Sequence, residues 1–492
     1  MLNKKIIILI NAFLLFNNYL YASQDTHQNL ENVVEQIPPI VKDRLAIAYF
    51  GGPEINNLIA SAFMHEKVNA RMSIYDAHYS INSGRSLNPI LNALACLKEN
   101  GTKIDIRSIV DSENITKPDI AKPDFLKFSN CLKFLGCQVK KLNKDPGVLD
   151  SGNICLNPKS FLHQKFYLFK SCYQGGPLAI ITSHNPTAHG ATDYQKNNAI
   201  VIALPAEITE LSKRFNLLYK KVAIDLEDDS LAVALKPKIK NFNPIALDDL
   251  NLQKNNNSSD NGSSDNYVKL LKSPLFSSHK SDSKNLISEK IIEQIKNESQ
   301  CIQLANFQFS HAGIVLALAD ALARGVRVEC LIDIGCVTNG TNSKKANQLA
   351  VTILNEAIKK AIVDNKKNGF IKFVGEALIP GETFRRGQIL HHKFFTFKNS
   401  KSVITGSFNC SGNSDIYGIE LGIKVEEQEL LEQYDQQFQD LVENNSSSLP
   451  LENFPSLGNH KKEISKYSSY KINGWAVDES GNFVYESFVD SK

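Results

Sequence analysis

Two similar octapeptides occur in the sequence, HQKFYLFK from His163 and HHKFFTFK from His391, and this repeat limits the possible folds. The two copies share five of eight positions: a His, two Lys and two Phe. The segments before and after each copy also resemble each other, so the repeated unit is much longer than the octapeptide. A unit of roughly 150 residues is too long for a solenoid repeat and predicts a duplicated domain.

The segments before the two octapeptides show the same order of secondary-structure signals. Each has a β-rich run, an apolar stretch with helical period, a helix-stopping Gly and an alternating strand that closes on Asp. The matching pieces are 73–79, 87–97, Gly101, 103–110 and Asp111 in the first copy, and 302–309, 314–322, Gly325, 326–332 and Asp333 in the second. This order predicts a βαβ unit, and therefore a parallel sheet covered by helices.

The segments after the octapeptides also match. Each predicts a strand, a Ser-x-Asn turn, a small polar loop, a second strand and a helix. We therefore expect a first half at 43–225 and a second half at 267–444. Between them, 251–266 has no apolar side chain after Leu252 and is predicted to be a flexible linker. The tail, 445–492, turns β-like near its end, and we expect an edge hairpin that packs on the second half.

The first 22 residues have the pattern of a secretory signal peptide. Lys4 and Lys5 precede an apolar run from Ile6 to Phe16, and Ala22 offers a small residue for cleavage. We expect a secreted or periplasmic protein. Removing this segment takes away two lysines, so the net charge falls from +3 to +1, too little to argue by itself for a nucleic-acid partner. Export would permit disulfides, and a bridge among Cys131, Cys137, Cys155 and Cys172 is plausible.

The repeated His and Lys suggest phosphoryl chemistry. On a strand, His163 and Lys165 would share one face, as would His391 and Lys393. Two such groups side by side repel each other unless an anion lies between them. A pseudo-two-fold axis would bring both pairs into one pocket, where one imidazole attacks phosphorus and the other protonates the leaving alcohol. Lysines and amides would hold the phosphate oxygens, so this chemistry needs no metal and no cofactor.

A His-x-Lys motif followed by a Ser-x-Asn turn, present twice, resembles the phospholipase D superfamily. The resemblance implies a duplicated α/β sandwich, with two mixed or parallel sheets flanked by helices about a pseudo-two-fold axis. The site residues that it implies are the catalytic His163, Lys165, Asn185, His391, Lys393, Asn409 and Glu420, with Ser183 and Ser407 as further phosphate-binding residues. The resemblance favours His163 as the nucleophile and His391 as the acid. Glu420 resembles the acidic residue that orients a catalytic histidine in the family.

The sequence departs from the family pattern in three places. Lys170 and Lys398 stand where an Asp usually follows the motif. Thr182 replaces the Gly before Ser183. The first half offers only Asn198 or Ala199 as a counterpart of Glu420, with Asp193 upstream as a substitute.

The superfamily contains lipid hydrolases, head-group transferases, nucleases and toxins, and the fold does not choose among them. We expect a phosphodiesterase that hydrolyses phospholipid head groups through a phosphohistidine, with transphosphatidylation as a further activity. A secreted metal-independent nuclease and a catalytically inactive phosphate-binding protein are the alternatives. The expected partner is phospholipid at a membrane surface, or nucleic acid under the nuclease alternative. The protein should be a monomer with both half-sites in one chain.

Overall fold

The structure is a computed structural model. It describes residues 44–74, 78–80, 89–111, 125–142, 160–186, 194–225, 245–254, 267–273, 287–338, 343–364, 369–375, 388–451 and 454–486. The expected signal peptide, most of the expected linker and Asp193 lie outside the described residues.

The first half forms an eight-stranded mixed sheet with helices on it. In chain order its elements are β1 (Ile47–Phe50), α1 (Gly52–His65), β2 (Asn69–Ser73), β3 (His78–Ser80), α2 (Pro89–Glu99), β4 (Asp105–Val110), β5 (Phe125–Lys127), α3 (Phe128–Phe134), β6 (Gln138–Leu142), β7 (Phe161–Leu162), β8 (Phe166–Tyr173), β9 (Gly176–Thr182), β10 (Gln195–Lys196), β11 (Asn198–Ile202), α4 (Pro205–Lys221) and β12 (Ala223–Asp225). The order in the sheet is β1-β11-β9-β8-β2-β4-β6-β12.

The second half repeats this plan. Its elements are β13 (Val268–Lys272), α5 (Ile287–Asn297), β14 (Cys301–Asn306), α6 (Ala312–Ala323), β15 (Arg327–Asp333), α7 (Gly335–Thr338), α8 (Ser343–Val363), β16 (Phe370–Val374), β17 (Ile389–Leu390), β18 (Lys393–Phe397), β19 (Ser402–Gly406), α9 (Gly412–Ile416), β20 (Gly418–Ile419), β21 (Leu421–Glu426), α10 (Gln428–Asn444) and β22 (Ser446–Ser447). The order in this sheet is β13-β21-β19-β18-β14-β15-β16-β22.

The predicted duplicated α/β sandwich is confirmed. In the first half β2, β4 and β6 are parallel neighbours, and in the second half β14, β15 and β16 are parallel neighbours. The remaining strands pair antiparallel, so both sheets are mixed. One boundary was wrong: the strand expected at 73–79 is β2, which ends at Ser73. Its apolar side chains, Ala70 and Met72, alternate into the core and are fully buried.

A continuous apolar core joins the two halves. It contains Phe166 of β8 and Phe394 of β18, together with Phe215 of α4 and Phe438 of α10. Two further clusters fill the outer layers, one under α1 and α2 and the other under α5, α6 and α8. Burying apolar side chains of both halves in one cluster favours their association, because each apolar surface leaves water.

The C-terminal segment packs on the second half. It contains α11 (Leu457–Glu463), α12 (Ser468–Ile472) and a hairpin of β23 (Trp475–Val477) and β24 (Phe483–Tyr485). Asn473 Oδ1 accepts hydrogen bonds from Ser310 Oγ at 2.8 Å and from Gly412 N at 2.7 Å. A Cβ on Gly412 would lie 1.7 Å from the carbonyl oxygen of Ile472, so this contact requires glycine. The segment therefore holds the loops that follow β14 and β19.

Two further observations concern the described cysteines and helices. Cys131, Cys137 and Cys172 are free thiols, so the plausible bridge does not form among them, and Cys155 lies outside the described residues. Within the described part of the chain, none of the helices has the length and apolar character needed to cross a bilayer.

Candidate active site

Both copies of the repeated motif lie where the chain passes from one sheet to another. Residues 163–165 separate β7 from β8, and residues 391–392 separate β17 from β18. Strand β7 pairs with β20 of the other half, whereas β8 pairs with β2 and β9 of its own half. Neither motif lies on one unbroken strand, because β7 and β17 pair with strands of the opposite half. This break places each His at the seam between the halves.

The histidine of the first half is oriented by the second half. His163 Nδ1 lies 2.9 Å from both Oε1 and Oε2 of Glu420. The pair is buried, with His163 8% exposed and Glu420 fully buried. An ionised carboxylate only accepts hydrogen bonds, so Nδ1–H is the donor and the lone pair of the neutral imidazole is on Nε2. Glu420 thus selects the tautomer of His163 that can attack phosphorus.

The histidine of the second half is oriented by Asn197. His391 Nδ1 lies 2.8 Å from Asn197 Oδ1. The amide of Asn197 donates through Nδ2 to the carbonyl oxygen of Gln195 at 3.2 Å, which leaves Oδ1 as the acceptor for His391. The expected counterparts of Glu420, Asn198 and Ala199, were therefore wrong by one and two residues. The site has one carboxylate partner and one amide partner.

Two short parallel ladders build these pairs. Strand β7, which leads to His163, pairs with β20, which leads to Glu420. Strand β10, which leads to Asn197, pairs in the same way with β17, which leads to His391. Each histidine and its partner thus leave neighbouring parallel strands at the same end. The pseudo-two-fold arrangement that the sequence predicted places all four residues at one seam.

Ser183 and Ser407 support the two orienting residues. Ser407 Oγ donates to Glu420 Oε2, and Ser183 Oγ donates to Asn197 Oδ1 at 3.4 Å. Both serines are fully buried. Each hydroxyl oxygen also accepts the backbone N–H at the start of the next strand, at 3.0 Å in both halves. Phosphate binding by these serines stays a prediction.

The motif lysines and the Ser-x-Asn asparagines complete the repeat. Lys165 Nζ donates to the carbonyl oxygen of His163 at 2.6 Å, and Lys393 Nζ donates to that of His391 at 3.0 Å. The side-chain Oδ1 atoms of Asn185 and Asn409 are buried without a hydrogen-bond partner. Binding of phosphate would use the Nδ2 donors of these amides, and this role stays a prediction.

Two aromatic rings flank the histidines. Phe161 lies 5.7 Å from His163, and Phe307 lies 5.3 Å from His391, measured between ring centroids. Phe307 also lies 5.6 Å from Lys393 Nζ. Both phenylalanines are only partly buried, so they place apolar surface beside the two imidazoles.

Burial and mutual repulsion hold the histidines neutral. Burial lowers the pKa of His163 to about 4, with Lys165 and Lys393 acting in the same direction and Glu420 against it. Burial also lowers the pKa of His391 well below its ordinary value, and the charges of Lys393, Lys165 and His163 add to this effect. The groups that act on His391 thus come from both halves, as does its hydrogen-bond partner Asn197.

The carboxylate and the lysines respond to the same environment. Burial raises the pKa of Glu420, but His163, Lys165 and Ser407 together lower it by more, so the group is ionised. Burial lowers the pKa of Lys165 to about 7 and that of Lys393 well below its ordinary value. Negative charge from a bound phosphate would reverse these shifts, because it favours the protonated form of each cation.

Arg214 of α4 supports the segment that contains Glu420, and sequence analysis did not identify this residue. Its guanidinium donates to Gln164 Oε1 at 2.8 Å and to the carbonyl oxygens of Ser273 and Glu420, each at 3.1 Å. Ser273 Oγ in turn accepts the backbone N–H of Glu420 at 2.7 Å. One buried arginine of the first half thus links the residue after His163 to the backbone of its partner.

The departures from the family pattern have local explanations. Lys170 is exposed, and Lys398 forms an ion pair with Asp435 of α10. Thr182 Oγ1 donates to the carbonyl oxygen of Asn198 at 2.8 Å and so stabilises the turn. The second half keeps glycine at this point, since a Cβ on Gly406 would lie 2.3 Å from the carbonyl oxygen of Leu421.

The chemistry that the sequence predicts needs no metal ion. Among the described residues, no group of three or more His, Cys, Asp or Glu side chains is arranged to hold a metal ion. The cations that face the site are Lys165 and Lys393.

Comparison with known proteins identifies the family. Residues 291–442 match the family model described as cardiolipin synthase, PLD-like domain. This region contains β14 to β21 and the whole second motif. The second half of the chain thus contains a PLD-like domain, in agreement with the resemblance that the repeated motif indicated. Members of the phospholipase D superfamily are phosphodiesterases or phosphotransferases. A search of curated protein sequences finds no match.

The fold resembles that of a solved structure over most of the chain. Phosphatidylserine synthase from Haemophilus influenzae Rd KW20 superposes with a TM-score of 0.57 at 12% identity, covering 88% of this chain and 94% of that one. At this identity the likeness shows the fold alone. NucT from Helicobacter pylori and the phospholipase D family member Nuc from Salmonella typhimurium are 18% and 20% identical, and each covers 37% of this chain and 98% of its own. Their TM-scores are 0.28 and 0.27.

Proposed function

We propose that the protein transfers the phosphatidyl group of a phospholipid, through a phosphohistidine at His163, to water or to an alcohol. The observation that carries this proposal is the crossed pairing of His163 with Glu420 and of His391 with Asn197. It provides two buried imidazoles with different partners beside two lysines. Two histidines with different hydrogen-bond partners at one site suit a two-step displacement, in which one histidine is the nucleophile and the other transfers protons.

In the first step, Nε2 of His163 forms a bond to phosphorus and the bond from phosphorus to the head-group oxygen breaks. His391 gives its proton to that oxygen. Asn197 brings no charge, so the negative phosphate is the group that raises the pKa of His391 and lets it bind this proton. Lys165 and Lys393, with the amides of Asn185 and Asn409, stabilise the charge on the other phosphate oxygens.

In the second step, water or an alcohol attacks phosphorus from the face of the departed head group. His391 takes the proton of the attacking oxygen, the bond from phosphorus to His163 breaks, and the neutral imidazole returns. Water as acceptor gives phosphatidic acid, and an alcohol gives a new phosphodiester. His391 donates a proton in the first step and accepts one in the second, so the site needs no further base.

The choice of a phospholipid rests on two supports. Phe161 and Phe307 place apolar surface beside the histidines, as expected for a lipid substrate at a membrane surface. In addition, the matching family model and the synthase of like fold are named for phospholipid chemistry. Export through the N-terminal segment is part of the same proposal, since that segment has the pattern of a signal peptide.

The substrate can be tested with three candidates in parallel. We expect the mature protein to release head group from phosphatidylcholine or cardiolipin vesicles, to yield phosphatidylethanol when ethanol is present, and to keep its rate in EDTA. Head-group release and the phosphatidyl product would be followed by mass spectrometry. Cleavage of single-stranded DNA alone would establish the nuclease alternative. Phosphate binding without cleavage of any diester would establish the inactive alternative, and a divalent ion that restores a rate lost in EDTA would contradict metal independence.

A further inference from the structure

Two carboxylates, Asp111 and Asp333, occupy equivalent places behind the two motifs. Asp111 directly follows β4, and Asp333 is the last residue of β15. Strands β4 and β15 correspond in the repeat. Strand β4 lies between its parallel neighbours β2 and β6, and β15 lies between its parallel neighbours β14 and β16. Both side chains are fully buried. The mechanism above assigns neither of them a part.

Each carboxylate fixes the peptide that leads into its motif. Leu162 N donates to Asp111 Oδ2 at 2.5 Å, and Leu390 N donates to Asp333 Oδ2 at 2.9 Å. Leu162 and Leu390 directly precede the two histidines. Asp333 Oδ1 also accepts the backbone N–H of Gly335 at 3.0 Å. The same bond in both halves ties the end of a central strand to the point where the chain changes sheets.

Each carboxylate also acts electrostatically on the lysine of its own half. Burial lowers the pKa of both motif lysines, and negative neighbours oppose this. For Lys165 those neighbours are Glu420 and Asp111. For Lys393 they are Glu420 and Asp333, while the charge of Lys165 lowers the pKa further. The Asp that usually follows the family motif is a lysine in both halves, so it cannot provide this charge.

We propose that Asp111 and Asp333 are positioning residues: each holds the backbone that enters its motif and supplies a buried negative charge for the lysine of the same half. The inference rests on the proposed function, since a cationic lysine matters because it binds phosphate. Two separate functions follow for one carboxylate. The hydrogen bond sets where the histidine stands, and the charge keeps the lysine protonated as the pH rises.

Asn substitutions separate charge from shape. Asp111→Asn and Asp333→Asn keep the side-chain size and one acceptor oxygen but remove the charge. The matched control is Asp105→Asn at the opposite end of β4, where Asp105 pairs with Arg71 at 2.9 Å and with Arg107 at 3.0 Å. Cleavage of bis(p-nitrophenyl) phosphate would be measured between about pH 5 and about pH 9 with each folded variant.

The expected result is a displaced alkaline limb. Without the carboxylate, the pKa of its lysine falls, so the lysine loses its proton at lower pH. A displacement of about one pH unit lowers the rate about tenfold on the alkaline side, with much less loss near pH 6. Asp105→Asn should keep the wild-type profile. An unchanged rate, or an equal loss at every pH, would overturn the assigned role of the charge.

Binding of inorganic phosphate, measured by calorimetry, separates this inference from the proposed function. Wild-type protein that binds phosphate but cleaves no diester would contradict the proposed function. The inference would still predict that both Asn variants bind phosphate more weakly than wild type at pH 8 but not at pH 6. Equal affinities at both pH values would overturn it. If one variant does not fold, as judged by thermal melting, the same measurements on the other decide.

Discussion

Replacing His163 by alanine is expected to lower kcat by a factor of about 10⁴ to 10⁶, the range seen when a nucleophile is removed from a catalytic unit. In the proposed mechanism His163 Nε2 forms the bond to phosphorus, so the first displacement is lost with this side chain. The rate of phospholipid head-group release measures this effect. His460→Gln is a suitable control, because His460 is also buried but is hydrogen-bonded to Tyr470 in the C-terminal segment. We expect that control to keep its turnover.

His391→Ala should differ from His163→Ala in its dependence on the leaving group. A choline or glycerol head group needs a proton from His391 in order to leave, whereas p-nitrophenolate does not. The first displacement should therefore survive in His391→Ala with a p-nitrophenyl ester, and the second should become slow. The two losses should not add in the double variant, since both residues act on one phosphorus. Equal rates for the two leaving groups in His391→Ala would contradict the assignment of the acid.

Glu420→Gln should give the second large effect, a loss of about a hundredfold to a thousandfold in kcat, comparable to the loss of one strong electrostatic group from an active site. Glutamine keeps the shape of Glu420 but cannot neutralise the positive charge that His163 gains when it binds phosphorus. The carboxylate also raises the proton affinity of His163, and its loss makes the imidazole a weaker nucleophile. Steady-state kinetics on vesicles would measure the loss.

Asn197→Ala provides the matched comparison for Glu420→Gln. It removes a neutral partner from His391, so we expect about a tenfold loss, closer to the value of one hydrogen bond. Equal losses in the two variants would mean that the charge of Glu420 has no special part, and would contradict the unlike roles of the two histidines. Thermal melting of both variants would show that they are folded.

The fold could be predicted from the sequence because the two halves show the same order of secondary-structure patterns. The strand periods, the Gly stops and the Ser-x-Asn turns recur in both halves, and short-range patterns determine them. The break in each motif was not predicted. It arises because β7 and β17 pair with strands of the opposite half, and such a long-range contact leaves no local pattern around His163 or His391.

Asn197 was missed for a related reason. Ser407 precedes Glu420 by 13 residues, whereas Ser183 precedes Asn197 by 14, so counting from the turn does not find it. Counting back from the next strand finds Asn197, because Asn197 directly precedes β11 and Glu420 directly precedes β21. Arg214 could not be predicted at all, because its partners are mostly backbone oxygens that only the assembled halves bring together.

The central claim is that His163 forms the covalent intermediate, and mapping the adduct tests it most directly. His391→Ala would be mixed with a phosphodiester that has a p-nitrophenyl leaving group, quenched in alkali, cut with trypsin and analysed by mass spectrometry. The two motif histidines fall on different tryptic peptides, 160–165 and 387–393. The account predicts a phosphorus adduct on 160–165, absent from His163→Ala. An adduct on 387–393 of wild-type protein, or turnover with no adduct in His391→Ala, would contradict it.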